Sequence, residues 1–260
     1  MFAFSIATIN LSGSTHRWLA RRHLLVGQLL DASPDLIALQ NINRAIGQGR
    51  WIVHQVNARM ADDGRIPYRL LQARHGSVRR FFEGVGIITR LPVIYFDYLA
   101  LGKQGGLALR VNLELPAGAA GSRRQSLDFV SVHLQHGLKR GEARLEQAMT
   151  LTGWINEDRR VPLQVIAGDF NESPDHSAIK HMRQSYRSAY TTASGADPLA
   201  TYPTNLVQPQ PVDAVCLDYV FISSAVYKVT AASILFDRSS TEDDTLYPSD
   251  HVGLMVSLEV

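Results

Sequence analysis

The sequence contains one cysteine, Cys216. No internal disulfide can form, which excludes a disulfide-stapled secreted scaffold and leaves core filling as the expected role of that thiol. Nowhere do about 18 apolar residues follow one another, so no transmembrane segment is expected. The apolar start from Met1 to Asn10 lacks the basic opening and the long apolar region of a secretory signal. A cytoplasmic, monomeric protein is therefore the expectation. An excess of one charge is missing too: 26 Lys+Arg against 24 Asp+Glu give a formal charge of +2. That balance neither demands nor refutes a polyanionic partner such as nucleic acid. Internal repeats, a low-complexity tail and a long basic insertion are absent as well. What the chain does have is 260 residues, 45% of them hydrophobic and 19% charged, enough for one large core.

The apolar residues fall into strand and helix periods. Phe2–Asn10 alternates as a buried strand and ends on an amide, and Asp35–Asn41 is an apolar run that also ends on amides. Between them a helix is expected to about Asp31, capped by Ser14 or Thr15, with Trp18, Leu25, Val26, Leu29 and Leu30 inward and Arg17, Arg21 and Gln28 off the stripe. A second helix, from about Trp51 to Ala61, precedes strand-like runs at Tyr68–Arg74, Gly84–Thr89, Val93–Leu101, Leu107–Leu115 and Leu127–Leu134. Pro116–Arg124 reads as a hairpin loop, and Gln208–Pro211 as a rigid extended one. An amphipathic helix is expected over Arg140–Asp158, with Leu145, Ala148, Met149, Leu151, Thr152 and Ile155 inward, then a strand at Leu163–Ala167 and a short helix within Asp175–Tyr186. Leu217–Ile222, Tyr227–Phe236 and Val252–Val260 close the chain as strands. Two βαβ-like units flanking a strand-rich centre favour two packed sheets covered by helices.

The polar residues at the strand ends are Asn10, Asn41, His133, Asp169, Asn171, Asp218, Asp250 and His251. Hard oxygen ligands with two histidines suit a magnesium-type site acting on phosphate, where histidines move protons; a soft-metal site would need more Cys or His. In Gly168-Asp169-Phe170-Asn171, residues i and i+2 of an extended chain point the same way, so Asp169 and Asn171 can converge on one point, with Gly168 permitting a close approach. An Asx turn leaving the strand is the alternative.

Six segments in order, Ile9-Asn10, Leu39-Gln40-Asn41, Ser131-Val132-His133-Leu134, Gly168-Asp169-Phe170-Asn171, Leu217-Asp218-Tyr219-Val220-Phe221 and Pro248-Ser249-Asp250-His251, resemble motifs of the endonuclease/exonuclease/phosphatase superfamily. That group of metal-dependent phosphoesterases includes pancreatic-type deoxyribonuclease and bacterial sphingomyelinase. The resemblance covers essentially the whole chain and implies one domain over 1–260 with a four-layer α/β/β/α sandwich of two packed mixed sheets. It further implies that His251 is the general base activating water, held by Asp218. Asn10, Asn41 and Asp250 would hold Mg2+ or Mn2+. Asp169 and Asn171 would position the nucleophile and phosphoryl oxygens, with His133 donating from the opposite side and Glu83 orienting it, unless Glu83 is a solvated strand start.

One residue departs from the pattern: Asn41 stands where the superfamily has a metal-binding glutamate. An amide oxygen can ligate the ion, but a negative charge is lost and affinity is expected to fall. A phosphoesterase with impaired turnover and an inactive binding module of the same fold are both compatible with this. The substrate stays open between nucleic acid, phospholipid and smaller phosphoesters. Arg79-Arg80-Phe81-Phe82 reads as a phosphate and base clamp centred on Arg80 or as a solvated hairpin tip. The pairs Arg21-Arg22, Arg123-Arg124, Lys139-Arg140 and Arg159-Arg160 read as scattered surface charge. Tyr95-Phe96-Asp97-Tyr98-Leu99 reads as an exposed apolar hairpin for a lipid or as an interior strand.

Overall fold

Each strand that carries a polar end has two apolar faces, and this double-sidedness sets the architecture. In β1 (Ala3–Asn10), Phe4 and Ile6 face one way, Ala7 and Ile9 the other, and both sets are buried. A computed structural model of the chain describes residues 2–75, 83–102, 105–116, 125–137, 140–157, 161–210 and 213–260. Within them β2 (Leu36–Asn43), β3 (Arg69–Arg74), β4 (Glu83–Thr89), β11 (Lys228–Leu235) and β12 (Gly253–Glu259) join β1 in a six-stranded sheet of order β11-β12-β1-β2-β4-β3. A second six-stranded sheet has the order β5-β6-β7-β8-β10-β9, built from β5 (Val93–Leu101), β6 (Gly106–Leu115), β7 (Gln125–His133), β8 (Gln164–Asp169), β9 (Arg187–Ser188) and β10 (Asp218–Ile222). The β1–β2 and β7–β8 pairs are parallel, each joined through a helix, while the other pairs are antiparallel, so both sheets are mixed.

The sheets pack face to face through Ile6, Leu36, Ala38, Leu109, Phe129, Val165, Val220 and Val256. Helices α1 (Trp18–Ala32) and α2 (Gln48–Met60) cover the outer face of the first sheet, with Leu25, Val26, Leu29, Ile52 and Val56 against Ala7, Ile9, Ile37 and Leu39. Helices α3 (Gly141–Glu157) and α4 (Ser177–Met182) cover the second, with Ala148, Leu151, Ile155 and Ile179 against Val130, Val132, Ile166 and Phe221. This is the expected four-layer α/β/β/α sandwich. No described helix is long and apolar enough to cross a membrane.

Several local expectations are overturned. Helix α1 starts after Arg17, which has left-handed backbone (φ 49°), and no side chain caps it; the Ser14 hydroxyl instead accepts from the His16 amide. Arg21 and Gln28, expected outside, are buried because each finds backbone partners: Arg21 donates to the carbonyls of Pro248, Leu11, Ser14 and His16, and Gln28 to that of Arg238. On α3, Met149 is exposed, and Arg144 and Gln147 take the inward positions. A further helix, α5 (Ala189–Ser194), begins at Ser188, whose hydroxyl accepts from the Thr191 amide. Cys216 fills the core, as expected, and burial pushes its thiol up to about 12.

Candidate active site

The layer between the sheets changes character along its length. On β1 the face that begins with Phe4 and Ile6 continues as Thr8 and Asn10, and on β2 Leu36 and Ala38 give way to Gln40. Across the layer, β7 runs Leu127, Phe129, Ser131, His133; β8 runs Val165, Ala167, Asp169; and β10 begins at Asp218 before Val220 and Ile222. With a side-chain period of two, these residues project into the same gap, and the parallel pairing aligns their polar ends. Asn10 stands opposite Gln40, His133 opposite Asp169, and Asp169 opposite Asp218. Below the site a polar relay closes the layer: within the first sheet Thr8 Oγ1 donates to Gln40 Oε1 (3.2 Å), and across to the second sheet Gln40 Nε2 donates to Ser131 Oγ (3.1 Å).

Asp169, 1% exposed, is the hub. Its Oδ2 accepts from Asn10 Nδ2 (2.8 Å) and Asn171 Nδ2 (3.2 Å) and lies 3.6 Å from His133 Nε2 and 4.0 Å from His251 Nε2. Its Oδ1 accepts from the Asn171 amide at 2.7 Å. That last bond is the Asx turn weighed from sequence. The extended backbone does not persist to Asn171, which has φ 51°. The turn itself returns the Asn171 side chain to Asp169, so turn and site coexist. The close approach at Gly168 is made by backbone: a Cβ there would lie 2.0 Å from the Val132 carbonyl of β7.

His251, also buried, presents Nδ1 to Asp218 Oδ2 at 2.8 Å. The carboxylate thereby holds the Nδ1 proton, and Nε2 is the nitrogen free to exchange one. Burial alone would lower the imidazole pKa, but Asp218, Asp169 and Asp250 outweigh it and raise it to about 10. Asp169 is raised, by burial first and then by Asp218, against the pull of His251, the Asn171 amide and Asn10. Asp218 Oδ1 is shielded and has no hydrogen-bond partner among the described residues. Tyr202 stacks on the His251 ring, centroids 4.7 Å apart at 42°. Thr201 Oγ1 accepts from the amides of Leu217 and Asp218, fixing the start of β10.

Asn10, Asn41, Asp250, Glu83, His133, Asp169, Asn171 and His251 all line one pocket of about 900 Å³. Asp218 lies behind His251. Asp250 accepts from the hydroxyls of Ser12 (3.0 Å) and Ser249 (3.1 Å), while Ser249 also donates to the Asn10 carbonyl. Arg21 ties Pro248 to Leu11 and so holds the two loops that carry these groups; burial lowers its pKa to about 10, partly offset by Asp250. Asn41 sits at the β2 irregularity between Leu39 and Ile42 with φ 52°, and its Oδ1 lies where a Cβ on Gly13 would come within 2.5 Å. The donors of Asn10, Asn41 and Asp250 are all hard oxygens and fit a divalent cation in kind, although only Asp250 brings charge. Among the described residues a second cluster of potential ligands is Asp169, Asp218 and His251, with ligand atoms within 4.8 Å of one another.

Sequence periodicity missed Tyr202, Thr201 and the ion pair of Arg144 with Glu172 (2.7 Å), both of which line the pocket and are nearly fully buried. Arg144 also donates to the carbonyls of Gln135 and Gly137, just beyond His133. Their only sequence signal is a charge on the apolar stripe of α3. Arg79, Arg80, Phe81 and Phe82, with Arg123-Arg124, Lys139 and Arg159-Arg160, lie outside the described residues. The Tyr95–Leu99 segment is neither interior nor at the pocket: it belongs to an edge strand that exposes Ile94, Phe96 and Tyr98.

The architecture recurs in solved structures. An endonuclease/exonuclease/phosphatase from Bacteroides vulgatus is 17% identical, with both chains fully covered and a TM-score of 0.76. TDP2 of D. rerio, complexed with single strand DNA product, is 17% identical over 99% of each chain (TM-score 0.74). The human Nocturnin catalytic domain with bound sulfate anion is 17% identical over 99% of this chain and 93% of its own (TM-score 0.71). No curated protein matches the sequence. The model of the Endonuclease/Exonuclease/phosphatase family matches residues 7–251, and with the sandwich and the convergent strand ends this establishes that the chain belongs to that family.

Proposed function

We propose that the protein is a divalent-metal-dependent phosphoesterase that hydrolyses a phosphodiester or phosphomonoester with water activated by His251. The observation that carries this reading is the buried Asp218–His251 pair, which turns Nε2 toward Asp169 inside the pocket. Water between Nε2 and Asp169 gives its proton to Nε2, while Asp218 keeps the ring oriented and stabilises the imidazolium that forms. Asn10 and Asn171 fix Asp169; the Asn171 side-chain amide uses both its donors on Asp169 and the Leu134 carbonyl, and the second N–H of Asn10 is available to a phosphoryl oxygen. His133, on the far side of Asp169, donates to the phosphoryl or leaving oxygen, and Glu83 orients it. A Mg2+ or Mn2+ ion held by Asn10, Asn41 and Asp250 would neutralise phosphoryl charge.

The raised pKa of His251 bears on this role. The raised pKa favours the protonated ring, so activity is expected to increase as pH rises above neutral; a cation bound near Asp250 would disfavour the imidazolium and carry activity to lower pH. The test is hydrolysis of plasmid DNA, abasic oligonucleotide, RNA, sphingomyelin, inositol phosphates and a chromogenic diester with Mg2+ or Mn2+. No hydrolysis by either the natural sequence or a folded Asn41→Glu variant defeats the proposal.

Asn41 supports a second reading, a non-catalytic module that recognises a phosphate-bearing ligand or a protein. Calorimetry separates the two: tight binding of an uncleaved ligand, with no heat from millimolar Mn2+, favours the module.

A further inference from the structure

A second pocket, of about 440 Å³, lies between α2 and the edge strand β3 and is lined by Arg44, Arg50, Val53, His54, Leu70 and Gln72. It holds two guanidinium groups and no acidic residue. Arg50 and His54 are one helical turn apart on α2, and Leu70 and Gln72 share one face of β3. Glycines let these groups pack closely: a Cβ at Gly49 would come 2.4 Å from Gln72 Nε2, and one at Gly84 would come 3.2 Å from Arg44 Cδ.

Arg44 is half-buried, while Arg50 and His54 are exposed to solvent. Arg44 Nε is shielded from solvent, with no hydrogen-bond partner among the described residues. Among the described residues neither the Arg44 nor the Arg50 guanidinium forms an ion pair or hydrogen bond. A shielded donor without a partner is costly, and two like charges around one cavity repel. His54 Nδ1 is engaged by Gln55 Nε2 at 3.3 Å, which leaves Nε2 to carry the ring proton. Guanidinium forks, an imidazole N–H and an amide together match the oxygens of a phosphate.

Its position connects this pocket to the first. Arg44 follows Asn41 by three residues, and Asn43 pairs with Glu83; Asn41 and Glu83 both line the main pocket. With Asn41 in left-handed backbone, the three residues from Asn41 to Arg44 span at most roughly 10 Å, and phosphates along one strand of a duplex recur about every 3.4 Å of axis. We propose that this pocket is a second phosphate subsite, holding the backbone of a nucleic-acid strand a few nucleotides away from the phosphoester in the main pocket. The inference rests on the phosphoesterase reading of the main pocket.

The test is fluorescence anisotropy of a labelled single-stranded oligonucleotide, titrated at several salt concentrations in EDTA so that no turnover intervenes. Arg44→Ala/Arg50→Ala is expected to weaken binding at least tenfold at low salt. It should also make the slope of log affinity against log salt shallower by about 1.4, two phosphate contacts at about 0.7 each. Arg50→Ala alone, on an exposed helix position, shifts the slope by about half as much and serves if the double variant fails to fold. Unchanged affinity and slope in a folded variant overturn the proposal, as does failure of the natural sequence to bind the oligonucleotide. So does a double variant that loses inorganic phosphate binding while oligonucleotide binding is intact. Hydrolysis of the chromogenic diester is measured separately, so loss of the enzyme reading and loss of the subsite give different results.

Discussion

On the wall supplied by β7, β8 and β10, Asp169 receives hydrogen bonds from Asn10 and Asn171 and stands between two histidines, and Asp218 fixes His251 from behind. On the wall at the ends of β1 and β2, Asn10 and Asn41 are neutral, and of the three residues expected to hold metal only Asp250 carries charge. The first wall concentrates buried charge and commits its protons to particular atoms. The second offers oxygen dipoles held by backbone geometry. On the proposed reading proton transfer and cation binding are therefore separable, and substitutions should move one without the other.

The largest expected effect is on the first wall: His251→Ala lowers hydrolysis by about 10²- to 10⁴-fold, read as kcat/KM on the chromogenic diester. An unchanged rate would remove His251 from the chemistry. Arg21→Ala leaves four carbonyls without their donor and is expected to cost about 2–4 kcal/mol in denaturant unfolding. It should also loosen the second wall through Pro248. On that wall itself, Asn41→Glu is expected to tighten Mn2+ about tenfold by calorimetry, since carboxylate charge sets affinity for hard cations; a tighter ion with unaltered pH dependence of binding to His251 variants would show the walls to be independent. A last expectation concerns stability against pH. The folded-state pKa of His251 is raised from 6.5 to about 10, so its contribution is complete below about pH 6.5 and is lost as pH rises through 10. The melting temperature of His251→Gln should thus lie lowest relative to the natural sequence near pH 6, by about 2–4 °C for each kcal/mol, and the gap should close toward pH 10. A gap constant with pH would mean that the ring acts only by packing.

Much of the architecture was legible because strands with a period of two announce which residues share a face, and a polar residue ending such a series stands out. Asn10, His133, Asp169 and Asp218 were found this way. The supporting groups were not, for a physical reason. Periodicity sorts residues by type, and Arg21, Gln28, Arg144 and Glu172 are buried in spite of their type because carbonyls or an ion pair satisfy them. Met149 failed in the opposite sense, an apolar side chain left outside when Arg144 and Gln147 occupied the inward positions. Tyr202 gave no signal at all, since its stacking on His251 joins residues from separate loops. The arginines of the second pocket were illegible for a related reason, as only the turn from β2 into α2, packed beside β3, brings Arg44 and Arg50 to one pocket with Leu70 and Gln72.

The left-handed backbone at Asn41 links sequence choice to conformational cost. Asparagine adopts that region several times more readily than glutamate, whose longer side chain gains no local hydrogen bond there. A carboxylate at this position would work against the bend in β2 while drawing a cation closer, so Asn41→Glu should bind metal better and melt lower in its absence. If the pocket holds a cation as proposed, residue 41 sits where foldability and cation charge pull in opposite directions, and the amide is the choice that favours the fold.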